Sequence, residues 1–277
     1  MSNLNAGLRR NSVGAQQGLL YNTRGRRQKA EKIRAALGIT IPTTEAMSLL
    51  DIGCASGIIT RALAPHFAYA VGMDLNESGL RLARSDPQQE ATCASLLRAT
   101  TSALPFPDCF FDVAICAQVY EHVADQAALA DEVFRVLKPG GWMFFSGPNR
   151  AWPIEDHYKL IGLGWIPRNW ASRYLRLAGR GQVFEENLLT SAQLRRLFGR
   201  FDHIDVTPMM IKNPVAFHIQ SSWATALFAK LPETIVRGLS WIYPNPNWLL
   251  RKPPQSRATM GQPVGAARES DSEAGVR

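Results

Sequence analysis

The chain has 277 residues, 46% of them hydrophobic, which suits one α/β unit with elaborations rather than two equal domains. Cys54, Cys93, Cys109 and Cys116 form no C-x-x-C pair and no metal-ligand spacing with the five histidines; together with the absence of a signal peptide or an apolar run of spanning length, this predicts a cytoplasmic, reduced protein without metal that does not cross a membrane. The net charge of +8 is uneven, with +7 in residues 1–34, −6 in 35–147 and +4 in 148–184, so an acidic body carries a basic arm and a basic insertion.

Residues 1–38 read as a basic arm followed by a lead-in helix, "RRQKAEKIRAALG", with Ala30, Ile33, Ala36 and Leu37 on one face and Gly38 as its C-cap. Short apolar runs and helical segments then alternate. "MSLLDIG" is predicted as strand one, residues 57–67 as its helix, "YAVGMDL" as strand two and "NESGLRLARSD" as a helix capped by Asn76. A weaker third strand falls within "CASLLRAT". "DVAICA" is strand four, "QAALADEVFRVLKPGG" a helix closed by Lys138, Pro139 and Gly140, and "WMFFSGP" strand five. Alternation of this kind implies right-handed crossovers and a doubly wound, mostly parallel sheet with helices on both faces.

After Pro148 the rhythm breaks. It resumes at "TSAQLRRLFGRF", a helix capped near Thr190 or Ser191, and at "DHIDVTPMMI", expected to be a strand. "SSWATALFAKL" reads as a helix and "NWLLRK" as a last strand. The domain is therefore expected over 39–252, with insertions at 149–184 and 213–244 and a disordered tail at 253–277.

In an open parallel sheet the ligand lies beyond the carboxyl ends of the strands, so the first strand-to-helix turn is where to look. A dinucleotide site wants G-x-G-x-x-G. Here Gly53, Ala55 and Gly57 give G-x-A-x-G, with the third small residue one position early, and Asp51 precedes them. A carboxylate there disfavours phosphate and welcomes an ammonium group. Asp74, ending strand two, can accept hydrogen bonds from ribose hydroxyls of either type of adenine nucleoside, or can simply stabilise the N-terminus of the next helix.

"LLDIGCASG", "VGMDLNESGL", "LPFPDCFFDVAICAQVYEHV" and "VFRVLKPGGWMFFSGPNR" together resemble, in order and spacing, the class I S-adenosylmethionine-dependent methyltransferases. The resemblance is to the small-molecule branch that includes the ubiquinone and menaquinone methyltransferases. It covers about 45–150 well and 185–252 loosely. It implies a Rossmann-like methyltransferase fold with a lid inserted after strand five, and S-adenosylmethionine as cofactor. By that resemblance the backbone of Gly53, Cys54, Ala55 and Gly57 holds the methionine part, Asp51 supports its amino group, Asp74 binds the ribose and Leu75 packs on the adenine. Thr100 and Thr101 stand where an acid usually meets the adenine amino group, and Ala117 and Gln118 line the floor.

Methyl transfer from a sulfonium mainly requires alignment and exclusion of water, with a base only where the acceptor is weakly acidic. His122, in "QVYEHV" just past strand four, and His157, in the insertion, are the candidate bases. His122 could instead pack against or cap the following turn. Some quinone-pathway relatives with the same E-H pair look as though they hold a metal with an acid three residues earlier; here that position is Gln118, and no metal is expected. The D/N-P-P-Y signature of enzymes that methylate exocyclic amines of bases is missing.

In residues 149–184, Trp152, Trp165, Trp170 and Tyr174 alternate with Arg168, Arg173, Arg176 and Arg180. Such a mixture suits an anionic lipid surface, a pocket for an apolar acceptor with an acidic end, or an ordinary cap with inward aromatics. The expected activity is methyl transfer to a small or lipid-like acceptor at a hydroxyl oxygen, with peripheral contact to an anionic inner membrane surface. The alternatives are a nucleic-acid methyltransferase using the basic arm and a non-catalytic cofactor-binding scaffold. The oligomeric state is left open.

Overall fold

The computed structural model describes residues 23–85, 94–155, 157–219 and 223–254. The expectations for the first 22 residues, for Cys93 and for the tail from residue 255 lie outside them.

A seven-stranded sheet runs in the order β3 (Ala94–Arg98), β2 (Tyr69–Asp74), β1 (Ser48–Ile52), β4 (Phe111–Ala117), β5 (Leu137–Ser146), β7 (Asn247–Arg251), β6 (Asp202–Asp205). The first five strands pair in parallel, and β7 is antiparallel to both β5 and β6. β1 sits inside the parallel part with every residue buried, which is why it reads as an uninterrupted apolar run. Successive side chains still alternate. Leu50 and Ile52 join Leu129 and Val133 of α4 (Gln126–Val136) on one face, whereas Leu49 meets α1 (Thr23–Leu37) and α2 (Ile58–Leu63) on the other.

Ala30, Ile33, Ala36 and Leu37 of α1 are the residues that this second core buries. α3 (Glu77–Arg84) starts at Asn76, whose side chain accepts from the Ser78 and Gly79 N–H groups. α5 (Arg168–Leu177) lies within the insertion, and α6 (Ser191–Leu197) opens on a reciprocal capping box between Thr190 and Gln193.

Two boundaries differ from expectation. α4 stops at Val136, and Lys138, Pro139 and Gly140 already belong to β5. Pro139 drives Lys138 out of helical backbone, and Gly140 takes φ +81 to bend the strand, while Lys138 Nζ ties down Asp112 at 2.8 Å. The stretch after Asp202 is a strand only to Asp205. There the Asp205 side chain accepts from the Thr207 N–H at 3.0 Å and Pro208, which has no N–H for a ladder, sits in the first turn of α7 (Thr207–Lys212). Two more short helices, α8 (Trp223–Lys230) and α9 (Glu233–Gly238), precede β7.

Candidate functional site

A cavity of about 940 Å³ opens at the carboxyl ends of β1, β2 and β4. It is lined by Asp51, Gly53 and Ala55 from the first turn, Asp74 and Leu75 from the end of β2, Thr100 and Thr101 after β3, and Ala117, Gln118 and His122 after β4. Cys54, Gly57 and His157, also expected at the site, do not line it. Cys54 is buried under the turn with its thiol pushed up by burial, so it offers neither a thiolate nor a surface. Gly57 forms the left-handed N-cap of α2 at φ +66.

The turn keeps its own donors occupied. The Gly53 and Cys54 N–H groups both donate to the Met73 carbonyl, at 2.8 and 3.0 Å, and that of Gly57 donates to the Cys54 carbonyl at 2.9 Å. The Ala55 N–H donates to Asp74 Oδ2 at 2.8 Å, and Asp74 Oδ1 takes the Asn76 N–H at 2.7 Å. A phosphate-binding turn aims such groups at its ligand. This one spends them internally and has the Asp51 and Asp74 carboxylates in the cavity lining instead, which suits a cation.

Asp51 is buried and accepts from the Thr60 hydroxyl at 2.6 Å. Burial pushes its carboxyl up to about 6, against the Thr60 hydrogen bond and the nearby Lys29 and Arg26 cations. Those two cations come from α1 and line the cavity beside Asp51, together with Gly25. Sequence reasoning missed them. The apolar face of α1 was legible, but nothing in the one-dimensional pattern said that its basic face covers the cavity rather than solvent. Burial, and then the neighbouring Arg26 charge, lower the Lys29 pKa. Ser102 and Asp125 are further lining residues that the motifs did not single out, and Asn76, expected only as a helix cap, also lines the cavity.

At the far wall Leu75 is 63% exposed, an apolar surface next to the Thr100 hydroxyl, which contacts the Ser102 hydroxyl at 3.1 Å. Beyond Gln118, whose amide donates to Asn245 at 2.9 Å, the chain makes a 3-10 turn, Tyr120–His122. His122 faces the cavity, with its pKa lowered by burial and then by the His157 charge. The two imidazoles meet edge to face with centroids 5.3 Å apart. His157 Nδ1 lies 3.0 Å from Glu155, whose carboxylate raises the His157 pKa. The insertion thus reaches the site through His157 behind His122, and none of the cavity-lining residues comes from 149–184.

Residues 50–145 match the family described as methyltransferase domain. Among curated relatives, a ubiquinone biosynthesis O-methyltransferase of Thiobacillus denitrificans is 34% identical over 151 residues, covering 54% of this chain and 61% of that protein. One from Nitrosomonas europaea is 32% identical over 122 residues, 44% of this chain and 52% of that protein. The chain thus spans a little over half the length of these relatives. The structure of the YcgJ protein from Bacillus subtilis superposes with a TM-score of 0.52 at 16% identity over 81% of this chain and 98% of the other. An S-adenosylmethionine-dependent methyltransferase from Mesorhizobium loti gives 0.50 at 20% identity over 78% and 95%. The fold is that of the Rossmann-like methyltransferases, and residues 50–145 match the methyltransferase-domain family within it.

Proposed function

We propose that this chain, carrying a methyltransferase domain, transfers the methyl group of S-adenosylmethionine to a hydroxyl oxygen of a small or lipid-like acceptor in the cytoplasm. The observation that carries the reading is the turn after β1, whose N–H groups are satisfied internally beside a buried acid facing two cations. Such a site rejects a pyrophosphate and complements a zwitterion. Asp51 suits an ammonium group, while Lys29 and Arg26 suit the carboxylate of the same amino acid. Asp74 keeps lone pairs for ribose hydroxyls, and Leu75 with Thr100 suits an adenine face and edge.

S-adenosylmethionine supplies an electrophilic methyl group when bound. The chain's residues position the two reactants, keep water out under α1, and accept the hydroxyl proton at His122, which its lowered pKa keeps neutral near pH 7. The O-methyltransferase names of the relatives, matched over this cofactor region, favour oxygen as the acceptor atom. The nucleic-acid alternative draws less support, because six of the eight basic residues in 1–34 fall in α1, where Arg26 and Lys29 line the cavity and Lys32 donates to Asn247. The test is methyl transfer from labelled S-adenosylmethionine to catechols, quinols and lipid-linked hydroxyls, with RNA as a parallel acceptor. Product with a hydroxyl acceptor supports the reading; cofactor binding with no transfer to any acceptor would leave the non-catalytic scaffold in its place.

A further inference from the structure

The His122 imidazole is half-exposed at the cavity, and among the described residues no hydrogen bond fixes its ring. Glu121 Oε1 lies 3.8 Å from Nε2, beyond hydrogen-bond distance, and the His157 ring makes only an edge-to-face contact. The ring therefore takes its direction from its backbone, and that backbone is a single 3-10 turn. Such a turn is weak by itself. It has two internal bonds, from the His122 N–H to the Val119 carbonyl at 3.0 Å and from the Val123 N–H to the Tyr120 carbonyl at 3.2 Å, and no side chain caps its start. The Glu121 and Val123 carbonyls need donors from elsewhere in the fold.

Two residues far apart in sequence supply them. Gln126, the first residue of α4, donates its amide to the Tyr120 carbonyl at 3.0 Å and to the Asn187 carbonyl at 2.7 Å. Asn187 donates its N–H to the Glu121 carbonyl at 2.7 Å and its amide to the Val123 carbonyl at 3.2 Å. The carbonyls of Tyr120, Glu121 and Val123 are thus all held, around the His122 that they carry. Asn187 follows the buried Glu186 in the segment by which the chain leaves the insertion. The entering segment is fastened to the same turn, because the Tyr120 hydroxyl donates to the Pro148 carbonyl and accepts from the Leu189 N–H at 3.3 Å. The Arg150 N–H closes the two segments on each other through the Leu189 carbonyl at 3.0 Å. The turn is the joint between the insertion and the cavity.

We propose that the side-chain amides of Gln126 and Asn187 are positioning residues for His122: they clamp its turn to the exit of the insertion, so that the imidazole faces the cavity. Neither residue lines the cavity, so both act through the turn and not on a reactant. A primary amide has two N–H donors, which is what Gln126 needs to hold two carbonyls at once. The charged groups acting on the His122 ring are Glu121 on its own turn, and Glu155, His157 and Glu185 from the insertion and its exit. Burial and the His157 charge hold its pKa low, so a turn that swings outward would restore an ordinary histidine. Gln126 and Asn187 are 61 residues apart, out of reach of any local motif.

The part that the clamp plays in catalysis rests on the reading of His122 as proton acceptor, but the positioning itself does not. The full chain, labelled at the histidine rings and free of cofactor and acceptor, is titrated with pH by NMR, with the His122 signal assigned by its disappearance in His122→Gln. In the parent His122 is expected to titrate below the ordinary histidine range. Gln126→Met, which keeps the side-chain length and removes both donors, should move that titration up toward the ordinary range. Asn187→Leu should do the same to a smaller extent, because its backbone N–H remains, and it decides the question where Gln126→Met does not fold. Gln193→Met removes an amide from the α6 capping box and is the control, expected to lower Tm and leave His122 unmoved. A His122 titration unchanged in the clamp variants, or moved equally by Gln193→Met, would overturn the proposal and leave the methyl-transfer reading standing. With a hydroxyl acceptor that the parent methylates, kcat of Gln126→Met should fall up to about 100-fold at unchanged KM for the cofactor. A full kcat in a variant whose His122 has moved would instead remove His122 as the base and leave the clamp as a measured feature of the turn.

Discussion

Gly57 shows how much a single residue decides in the first turn. It sits at φ +66, and an added Cβ would lie 2.7 Å from Leu96 Cδ1 on β3. Ala55, two residues earlier, also has positive φ, at 51°, so left-handed backbone alone does not forbid a side chain here. The contact with Leu96 makes the difference. Gly57→Ala should therefore cost about 2 kcal/mol, from left-handed strain plus displacement of Leu96, and lower Tm by about 4–8 °C in a thermal melt. A melt within a degree of the parent would show that Leu96 yields freely. The small residues of this turn, Asp51 before them and Asp74 after β2 were legible because their spacing is local. The neighbourhood of Glu121, His157 and Glu186 was not, since only the folded chain assembles residues so far apart in sequence.

Among the elements, α1 combines a legible half with an illegible one. Its apolar period announced the helix and the buried face; its basic face could equally have served solvent, lipid or nucleic acid. Packing against α2 instead turns Lys29 and Arg26 into the cavity beside Asp51. β5 and α7 were misjudged at their edges for a related reason, because the proline positions that set them compete with apolar periodicity that runs on across the boundary. If α1 supplies the carboxylate partner of the cofactor, Lys29→Met, which keeps the aliphatic length and removes a desolvated charge, should weaken S-adenosylmethionine binding about tenfold, or about 1.4 kcal/mol, without lowering Tm. Calorimetry checks this. Unchanged affinity would assign the helix to packing alone.

At the scale of the whole molecule, the parallel sheet carried the legible part, since each strand brings its own motif to the same end and four motifs in register leave little freedom. The insertion follows no such rule. It is anchored from below by Asn149, whose amide donates to Ser191, Trp241 and Tyr243, and has a small core of its own around Leu163, Ala171 and Leu175. Its outer side leaves Trp165 53%, Trp170 63%, Leu177 80% and Val183 54% exposed, with Arg173 packed over the Trp170 ring. No helix among the described residues is long and apolar enough to cross a membrane. An apolar, basic surface of this kind supports peripheral contact with anionic lipid, which would place an apolar acceptor within reach of the site behind His157. The chain should then co-sediment with vesicles containing phosphatidylglycerol and much less with vesicles of phosphatidylcholine alone. Trp170→Ala and Leu177→Ala remove largely exposed side chains outside the insertion's small core, so each should lower partitioning about tenfold with little change in Tm, given the roughly 1.5–3 kcal/mol that burying such a side chain supplies. Equal sedimentation of both variants and the parent would mean that the exposed aromatics serve another partner, and that the acceptor reaches the cavity from solution.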